Sequence, residues 1–286
     1  DWYESITSND DGLVVDGKKI HVFSEKDPAN LPWGAHDIDV VIESTGLFVD
    51  PALAKAHVEG AGAKKVIISA PAKGEGSNTI ILGVNDDEVK TAGDVINNGS
   101  CTTNCVSPVA AVMQSAFGID KAIMSTIHSY TADQRLQDAP HKDLRRARAA
   151  AVNIVPTSSG AGIAVAEVIP ELKGQFEAMA FRVPTNVVSI SDFSIVTKKD
   201  VTVDQVNEVF KKAAAEPFYQ GILGLTEEPL VSTDFIGNSH SCVVDLGLTQ
   251  VVGGNLVKIV AWYDNEWGYS NRLVELAVDV GKSLKK

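Results

Sequence analysis

The sequence predicts an α/β protein made of two unlike parts: a parallel sheet within residues 1–100 and a mostly antiparallel sheet with helices after it. Three observations carry this. Two short, continuous apolar runs, Val40-Val41-Ile42 and Val66-Ile67-Ile68, bracket a helical stretch, as strands of a sheet covered on both faces do. Residues 187–197 instead alternate apolar and polar side chains, the period-two pattern of an antiparallel strand. A chain of 286 residues, 44% of them apolar, can bury a sizeable core in one large or two ordinary domains.

Composition excludes several classes of partner. The formal net charge is −12, so neither nucleic acid nor an anionic membrane is attracted in bulk, and a phosphorylated ligand would need local cations and N–H groups to hold it. Three cysteines, two of them four residues apart, make neither a disulfide framework nor a zinc site, and no metal centre is expected. Reduced cysteines, no apolar run of membrane-spanning length and no visible signal peptide point to a cytoplasmic location.

Taken in order, residues 12–23 read as a hairpin, two short strands joined by Asp16-Gly17. Leu31-Pro32-Trp33-Gly34 is a loop. The strand at 39–43 ends in Ser44-Thr45-Gly46, at the strand end where open α/β sheets bind ligands; an ordinary turn and helix cap would use the same residues. Residues 51–60 make a helix, with Pro51 in its first turn and Gly60 at its end. A second strand, 65–69, ends in Ser69-Ala70-Pro71, and 79–82 is a third candidate. The glycine-rich dinucleotide fingerprint is missing. Gly160-Ala161-Gly162 is followed by Val165, not by a third glycine or alanine at the right spacing, and it follows hydroxyl residues rather than a strand.

The chain is organised around Ser100-Cys101-Thr102-Thr103-Asn104-Cys105, a loop feeding a helix over 102–117. Pro108 should kink that helix or end its first segment, and Gly118 suits its cap. At such a helix start the N–H groups and the dipole lower a thiol pKa, and they can also hold an oxyanion or a phosphate. A strand over 122–127 then delivers His128-Ser129-Tyr130-Thr131. A helix plus a returning strand is enough chain for His128 to meet Cys101 across a sheet edge. That pairing makes Cys101 the candidate nucleophile and His128 the candidate general base.

Residues 138–148 are polar and basic within an acidic protein and read as a solvated loop and helix start. Pro156-Thr157-Ser158-Ser159-Gly160 opens a helix to about Val168; hydroxyls and a glycine there make a phosphate cradle, or simply a cap. After the alternating strand come a helix at 203–214, strands near Cys242-Val243-Val244 and over 256–262, and an amphipathic last helix over 270–284. There are no internal repeats.

These motifs resemble those of a known family. Ser-Cys-Thr-Thr-Asn-Cys at 100–105, Ile127-His128-Ser129-Tyr130-Thr131, Arg182-Val183-Pro184-Thr185 and Tyr263-Asp264-Asn265-Glu266-Trp267-Gly268-Tyr269-Ser270 together look like the phosphorylating glyceraldehyde-3-phosphate dehydrogenases. The resemblance covers nearly the whole chain. It implies a partial Rossmann-type parallel sheet domain over 1–100, an α+β catalytic domain over 101–264, and a C-terminal helix over 265–286 that returns to the cofactor domain. Family members begin with a βαβ unit carrying the glycine fingerprint, so the sequence from Asp1 onward is expected to be truncated at its N-terminus.

The resemblance also implies roles. Cys101 would carry a thiohemiacetal and then a thioester, with His128 as base. Thr131 and Arg182 would grip the substrate's phosphate. Ser100, Thr102, Ser159 and Gly160 would hold inorganic phosphate. Ser44, Thr45, Gly46 and Ser69 would line the cofactor site, with Asn265 on the nicotinamide carboxamide and Tyr269 near the ring. Asn186-Val187-Val188-Ser189 departs from the family's usual Pro-Asn-Val-Ser. The expected partners are glyceraldehyde 3-phosphate, inorganic phosphate and further subunits of a homotetramer, against which the 138–148 loop would pack. The cofactor is NAD or NADP, because Ala139-Pro140 lies between the pairs typical of each. Erythrose-4-phosphate dehydrogenase is the nearest alternative, and Ser129-Tyr130-Thr131 argues against it. A thiol acyl-transfer enzyme or a non-catalytic fragment are the others.

Overall fold

The computed structural model describes residues 5–9 and 12–284; Asp1, where the sequence reading places the truncation, lies outside them. Strands β1 (Ile6–Asn9), β2 (Gly12–Val15) and β3 (Lys18–His21) form an antiparallel meander. Asp16 and Gly17 take φ of +48° and +77°, the positive pair that a type I′ hairpin turn requires.

A four-stranded sheet follows: β4 (Val40–Glu43), β5 (Lys65–Ile68), β6 (Asn78–Thr79) and β7 (Val95–Asn97), in the order β4-β5-β7-β6 with every neighbouring pair parallel. β7 escapes the sequence reading because three residues are too few to show a period. The 79–82 run is a strand only at its start. Ile80, Ile81 and Leu82 are buried, but Asn85 Oδ1 accepts from Ile81 N at 2.8 Å and Asn98 Nδ2 donates to Ile80 O at 2.8 Å, so side chains replace the ladder. The 51–60 helix comes as two short pieces, α1 (Pro51–Ala54) and α2 (Ala56–Glu59), the first capped by Asp50 on Ala52 N.

Helix α3 (Cys101–Phe117) runs unbroken through Pro108, against the expected break. Residues 102–110 are all buried, so packing fixes the chain on both sides of the proline. Asn104 Nδ2 also pins the first turn, donating to Asn98 O at 2.8 Å and Ser100 O at 2.9 Å.

The larger sheet has eight strands: β8 (Ile119–Ser129), β9 (Val155–Ser158), β10 (Phe176–Val183), β11 (Ser189–Thr197), β12 (Leu223–Thr226), β13 (Cys242–Asp245), β14 (Gln250–Val252) and β15 (Leu256–Tyr263). Their order is β12-β13-β15-β11-β8-β10-β9, with β14 on β15, and all pairs are antiparallel except β8–β10 and β12–β13. Residues 156–158, expected to open a helix, belong to β9. Val155 and Thr157 alternate inward against β10, and helix α4 (Ala161–Val168) begins only after Gly160. Gly162 lets α4 close on β10: a Cβ there would stand 3.2 Å from Phe176 O and Ala178 N.

Helices α3 and α4 share one core with this sheet and with α5 (Val203–Ala215); Val106, Met113, Met124, Phe193, Phe210 and Ile259 in it are fully buried. Phe193→Ala is therefore expected to cost about 3–5 kcal/mol. The check is the urea midpoint at unchanged m-value; a loss below about 1 kcal/mol would place Phe193 outside the main core.

The last helix, α6 (Trp267–Ser283), begins before the expected Ser270, because Asp264 Oδ1 accepts from Glu266 N and Trp267 N and so caps its first turn. Its Leu273, Leu276 and Val280 join Ile67, Ile80 and Ile96 in one apolar cluster on the parallel sheet. Val41, Ala54, Val66, Ile68 and Val95 form a separate cluster there. Burial in both clusters is what the continuous apolar run of β5 reflects; β4 buries Val41 and half-buries Val40 but leaves Ile42 exposed, so that strand is not covered on both faces as expected. No helix among the described residues is long and apolar enough to cross a membrane.

Candidate active site

The site starts at the first turn of α3. Ser100 is extended, and its Oγ accepts from Thr103 N at 3.0 Å, which caps the helix and leaves Cys101 half-buried as its first residue. β8 delivers His128, and the parallel register of β8 with β10 sets Arg182 directly opposite it. Cys101 Sγ lies 3.4 Å from His128 Nε2. On the other side of the ring, Nδ1 is 2.6 Å from Ser129 O. Arg182 Nη1 lies 3.0 Å from Nδ1, 3.3 Å from Ser129 O and 3.3 Å from Thr131 Oγ1.

The shortest of these contacts, to Ser129 O, assigns the tautomer over the opposing demand of the donor-only Arg182. A carbonyl oxygen only accepts, so Nδ1 carries the proton to Ser129 O, and Nε2 turns its lone pair to the thiol. Arg182 cannot then donate to Nδ1; its N–H groups serve Ser129 O and Thr131 Oγ1, and its charge opposes protonation of the ring. Burial and the Arg182 guanidinium push His128 down to about 4, so the imidazole is neutral at neutral pH.

The thiol departs from expectation. Burial pushes Cys101 up, over the opposing pull of Arg182 and of the hydrogen bonds at Thr102 and at its own N–H. Loss of water around sulfur outweighs the helix terminus. The resting pair is a thiol facing a neutral base, not a thiolate facing an imidazolium. Cys105, one turn on, is fully buried against Ser191 Oγ at 3.7 Å, and burial pushes its thiol up as well.

Tyr263 lies beneath the pair; in the sequence it opens the 263–270 motif but is given no role. Its ring meets His128 edge-on, with centroids 6.0 Å apart at 73°. Its hydroxyl sits 3.1 Å from Thr102 Oγ1 and 2.8 Å from Thr126 Oγ1. Thr102 is only 5% exposed, so its hydroxyl braces the floor of the site rather than facing the cleft.

Ser159 and Gly160 stand at the junction of β9 and α4. Ser159 Oγ accepts from Ala161 N at 3.3 Å. No hydrogen bond among the described residues joins them to Cys101. A cation does stand beside them: Arg146 Nη2 donates to Ser158 O at 3.5 Å, and its Nε pairs with Asp133 at 3.3 Å. Arg146 looked like a solvated loop residue in sequence, yet its side chain is 18% exposed. A cavity of about 540 Å³ also touches Gly160, but its walls carry Glu75, Glu88 and Glu167 and no cation, which unfits it for phosphate.

The cofactor-side residues lie at the carboxyl ends of the parallel strands. Ser44, Thr45 and Gly46 follow β4, with Gly46 at φ +74°, and Ser69 follows β5, its N donating to Glu43 O at 2.9 Å. Tyr269 OH donates to Gly99 O at 3.3 Å. Asn265 Oδ1 accepts from Ser189 Oγ at 3.1 Å, which leaves the amide's Nδ2 as the donor it can offer. Ser189 Oγ itself accepts from Ser129 N at 3.1 Å, so Asn265 is tied to the residue beside the base. Where the sequence departs from Pro-Asn-Val-Ser, Val188 takes φ +70°, a strained value for a β-branched residue, and its carbonyl accepts from Ser129 Oγ at 2.7 Å. An oriented amide donor and hydroxyls on the carboxyl edge of a parallel sheet fit the nicotinamide end of a dinucleotide.

Comparison with known proteins agrees with this arrangement. Residues 100–265 match the family described as glyceraldehyde 3-phosphate dehydrogenase, C-terminal domain, and residues 1–51 match its NAD binding domain. The chain is 54% identical over 280 residues to glyceraldehyde-3-phosphate dehydrogenase 2 of Streptomyces avermitilis, covering 98% of this chain and 83% of that protein. It is 49% identical over 280 residues to the enzyme of Zymomonas mobilis, with the same coverage. It is 54% identical over 276 residues to that of Mycobacterium bovis, covering 96% of this chain and 80% of that protein. By these matches along nearly its whole length, the chain belongs to the glyceraldehyde-3-phosphate dehydrogenase family.

Proposed function

We propose that this chain oxidises glyceraldehyde 3-phosphate to 1,3-bisphosphoglycerate with NAD and inorganic phosphate, with Cys101 as nucleophile and His128 as general base. The observation that carries the reading is the 3.4 Å contact between Sγ and a ring nitrogen whose lone pair is aimed by the Nδ1–H bond to Ser129 O.

As sulfur bonds the aldehyde carbon, the thiol proton passes by way of Nε2 to the carbonyl oxygen and a thiohemiacetal forms on Cys101. Nε2 then takes the hydroxyl proton while the carbon gives up its hydride, leaving a thioester. NAD, when bound, supplies the acceptor for that hydride; Asn265, Tyr269 and the strand-end residues Ser44, Thr45, Gly46 and Ser69 would hold it. An imidazolium pushed down to about 4 releases its proton readily, so the base resets between steps. Inorganic phosphate then attacks the thioester carbon, the C–S bond breaks, and the acyl phosphate leaves Cys101 free. Ser100, Ser159, Gly160 and Arg146 are the groups proposed to hold the attacking phosphate, with Thr102 bracing the floor through Tyr263.

Thr131 and Arg182 are proposed to hold the substrate's own phosphate. Arg182→Ala is expected to raise the KM for glyceraldehyde 3-phosphate by roughly 10- to 100-fold, the loss of a charge-assisted bond, and that for unphosphorylated glyceraldehyde far less. Equal effects on the two substrates would remove Arg182 from the phosphate site. The same assay with NADP in place of NAD reads cofactor choice.

A homotetramer is supported by apolar side chains along the loop after β8. Leu136 and Leu144 are each 82% exposed, Val152 76% and Ile154 69%, more bare apolar surface than a monomer ordinarily carries in one loop. Three free cysteines support a reducing, cytoplasmic setting.

A further inference from the structure

Away from the thiol, a second buried polar cluster joins three segments of the chain. Glu43 closes β4, His57 sits on α2 and Trp33 lies in the loop before β4; Glu43 and His57 are each 4% exposed. Trp33 Nε1 donates to His57 Nδ1 at 3.0 Å. An indole N–H only donates, so Nδ1 accepts and Nε2 is the nitrogen that donates to Glu43 Oε2 at 2.8 Å. The other carboxylate oxygen, Oε1, accepts from Thr45 N at 2.7 Å and from the Thr45 hydroxyl. Thr45 Oγ1 in turn accepts from Leu47 N at 3.1 Å. The Phe48 ring meets the His57 ring edge-on, with centroids 6.4 Å apart at 80°. One histidine–carboxylate pair therefore grips the 44–48 loop at both ends.

Burial pushes the Glu43 carboxyl up, but the bonds from Thr45 and His57 bring it below its ordinary value, so it is ionised. A buried carboxylate is a poor way to gain stability alone, since apolar side chains of the same volume serve as well. What a carboxylate does and a leucine cannot is fix the directions of one loop N–H and one loop hydroxyl.

We propose that Glu43 and His57 are positioning residues for the dinucleotide. They preorganise the 44–48 loop at the carboxyl end of β4, so that binding does not have to order it. The inference rests on the reading of the chain as an NAD enzyme, and neither residue touches the reacting atoms.

The test uses the full protein. In His57→Ala the dissociation constant for NAD, measured by fluorescence titration without substrate, is expected to rise about tenfold or more, the worth of a lost bond to a charged group. The KM for glyceraldehyde 3-phosphate and the rate of Cys101 alkylation in the absence of NAD should stay within about twofold of the parent. Hydrogen exchange at Thr45 and Leu47, without cofactor, should quicken while exchange in β8 does not. His57→Gln, which can still donate to Glu43, should recover most of the affinity. If His57→Ala does not fold, Trp33→Phe removes the indole N–H while keeping a smaller aromatic ring there, and should weaken NAD binding about two- to fivefold. Unchanged NAD affinity and unchanged exchange at Thr45 in either folded variant would overturn the inference alone. A parent protein that binds no NAD would overturn the functional reading with it.

Discussion

Replacing Cys101 by serine is expected to lower kcat for aldehyde oxidation by at least about 10³-fold, with acyl transfer lost in step. The sulfur occupies the one position where a nucleophile meets the Nε2 lone pair, at 3.4 Å. A serine hydroxyl there holds its proton far more tightly than a thiol, so a base pushed down to about 4 activates it far less readily. Even if the adduct formed, oxidation would leave an oxygen ester, which phosphate cleaves much less readily than a thioester. Cys105→Ser is the control. Its sulfur is fully buried against Ser191, out of reach of His128, and the variant should keep activity within about tenfold of the parent. Single-turnover reduction of NAD by each variant makes the comparison. Similar losses at both positions would mean that the two cysteines have been assigned the wrong parts.

His128→Asn should cost about 10²- to 10⁴-fold in kcat, the usual contribution of a positioned base. The pH dependence separates a base from a mere support. With His128 at about 4, the parent's kcat should hold on acidification until near that value, rather than falling off near the ordinary histidine value of 6.5. A fall near 6.5 would mean that the working imidazole is not this buried, Arg182-facing one. Stability should show the same group. Between 6.5 and 4 the unfolded chain binds a proton that folded His128 refuses, so the parent gains stability as pH rises through that window and loses it on acidification. The full contribution is about 3 kcal/mol, and in His128→Asn the slope should be shallower by that amount.

Much of this was legible in the residues. β5 announced itself because it is buried, β4 by its apolar run although Ile42 in it stays exposed, and α5 and the Asp16-Gly17 hairpin because their patterns are local. The Cys101, His128 and Arg182 trio was legible by motif. What the sequence hid depends on contacts between distant segments. β7 is too short to show a period; 80–82 looks like a strand until Asn85 and Asn98 take its backbone groups; Pro108 looks like a break until burial holds the helix together. Desolvation of the Cys101 sulfur, which reverses the effect expected of a helix start, needs the surrounding fold to be known. Tyr263, Arg146 and the Glu43–His57 pair act only through register and packing, which no spacing rule reports.

The closing position of α6 bears on how the chain is made. Leu273, Leu276 and Val280 complete the apolar cover over Ile67, Ile80 and Ile96, yet they follow the whole of the larger sheet in the chain. Synthesis runs from the N-terminus, so the parallel strands wait, with one greasy surface bare, until α6 has been made. The larger sheet can be complete by then, since its last strand ends at Tyr263. The nascent chain thus matures out of order, with the parallel sheet sealed only after the larger sheet has been made. The interval before α6 emerges is when holding chaperones have most to protect.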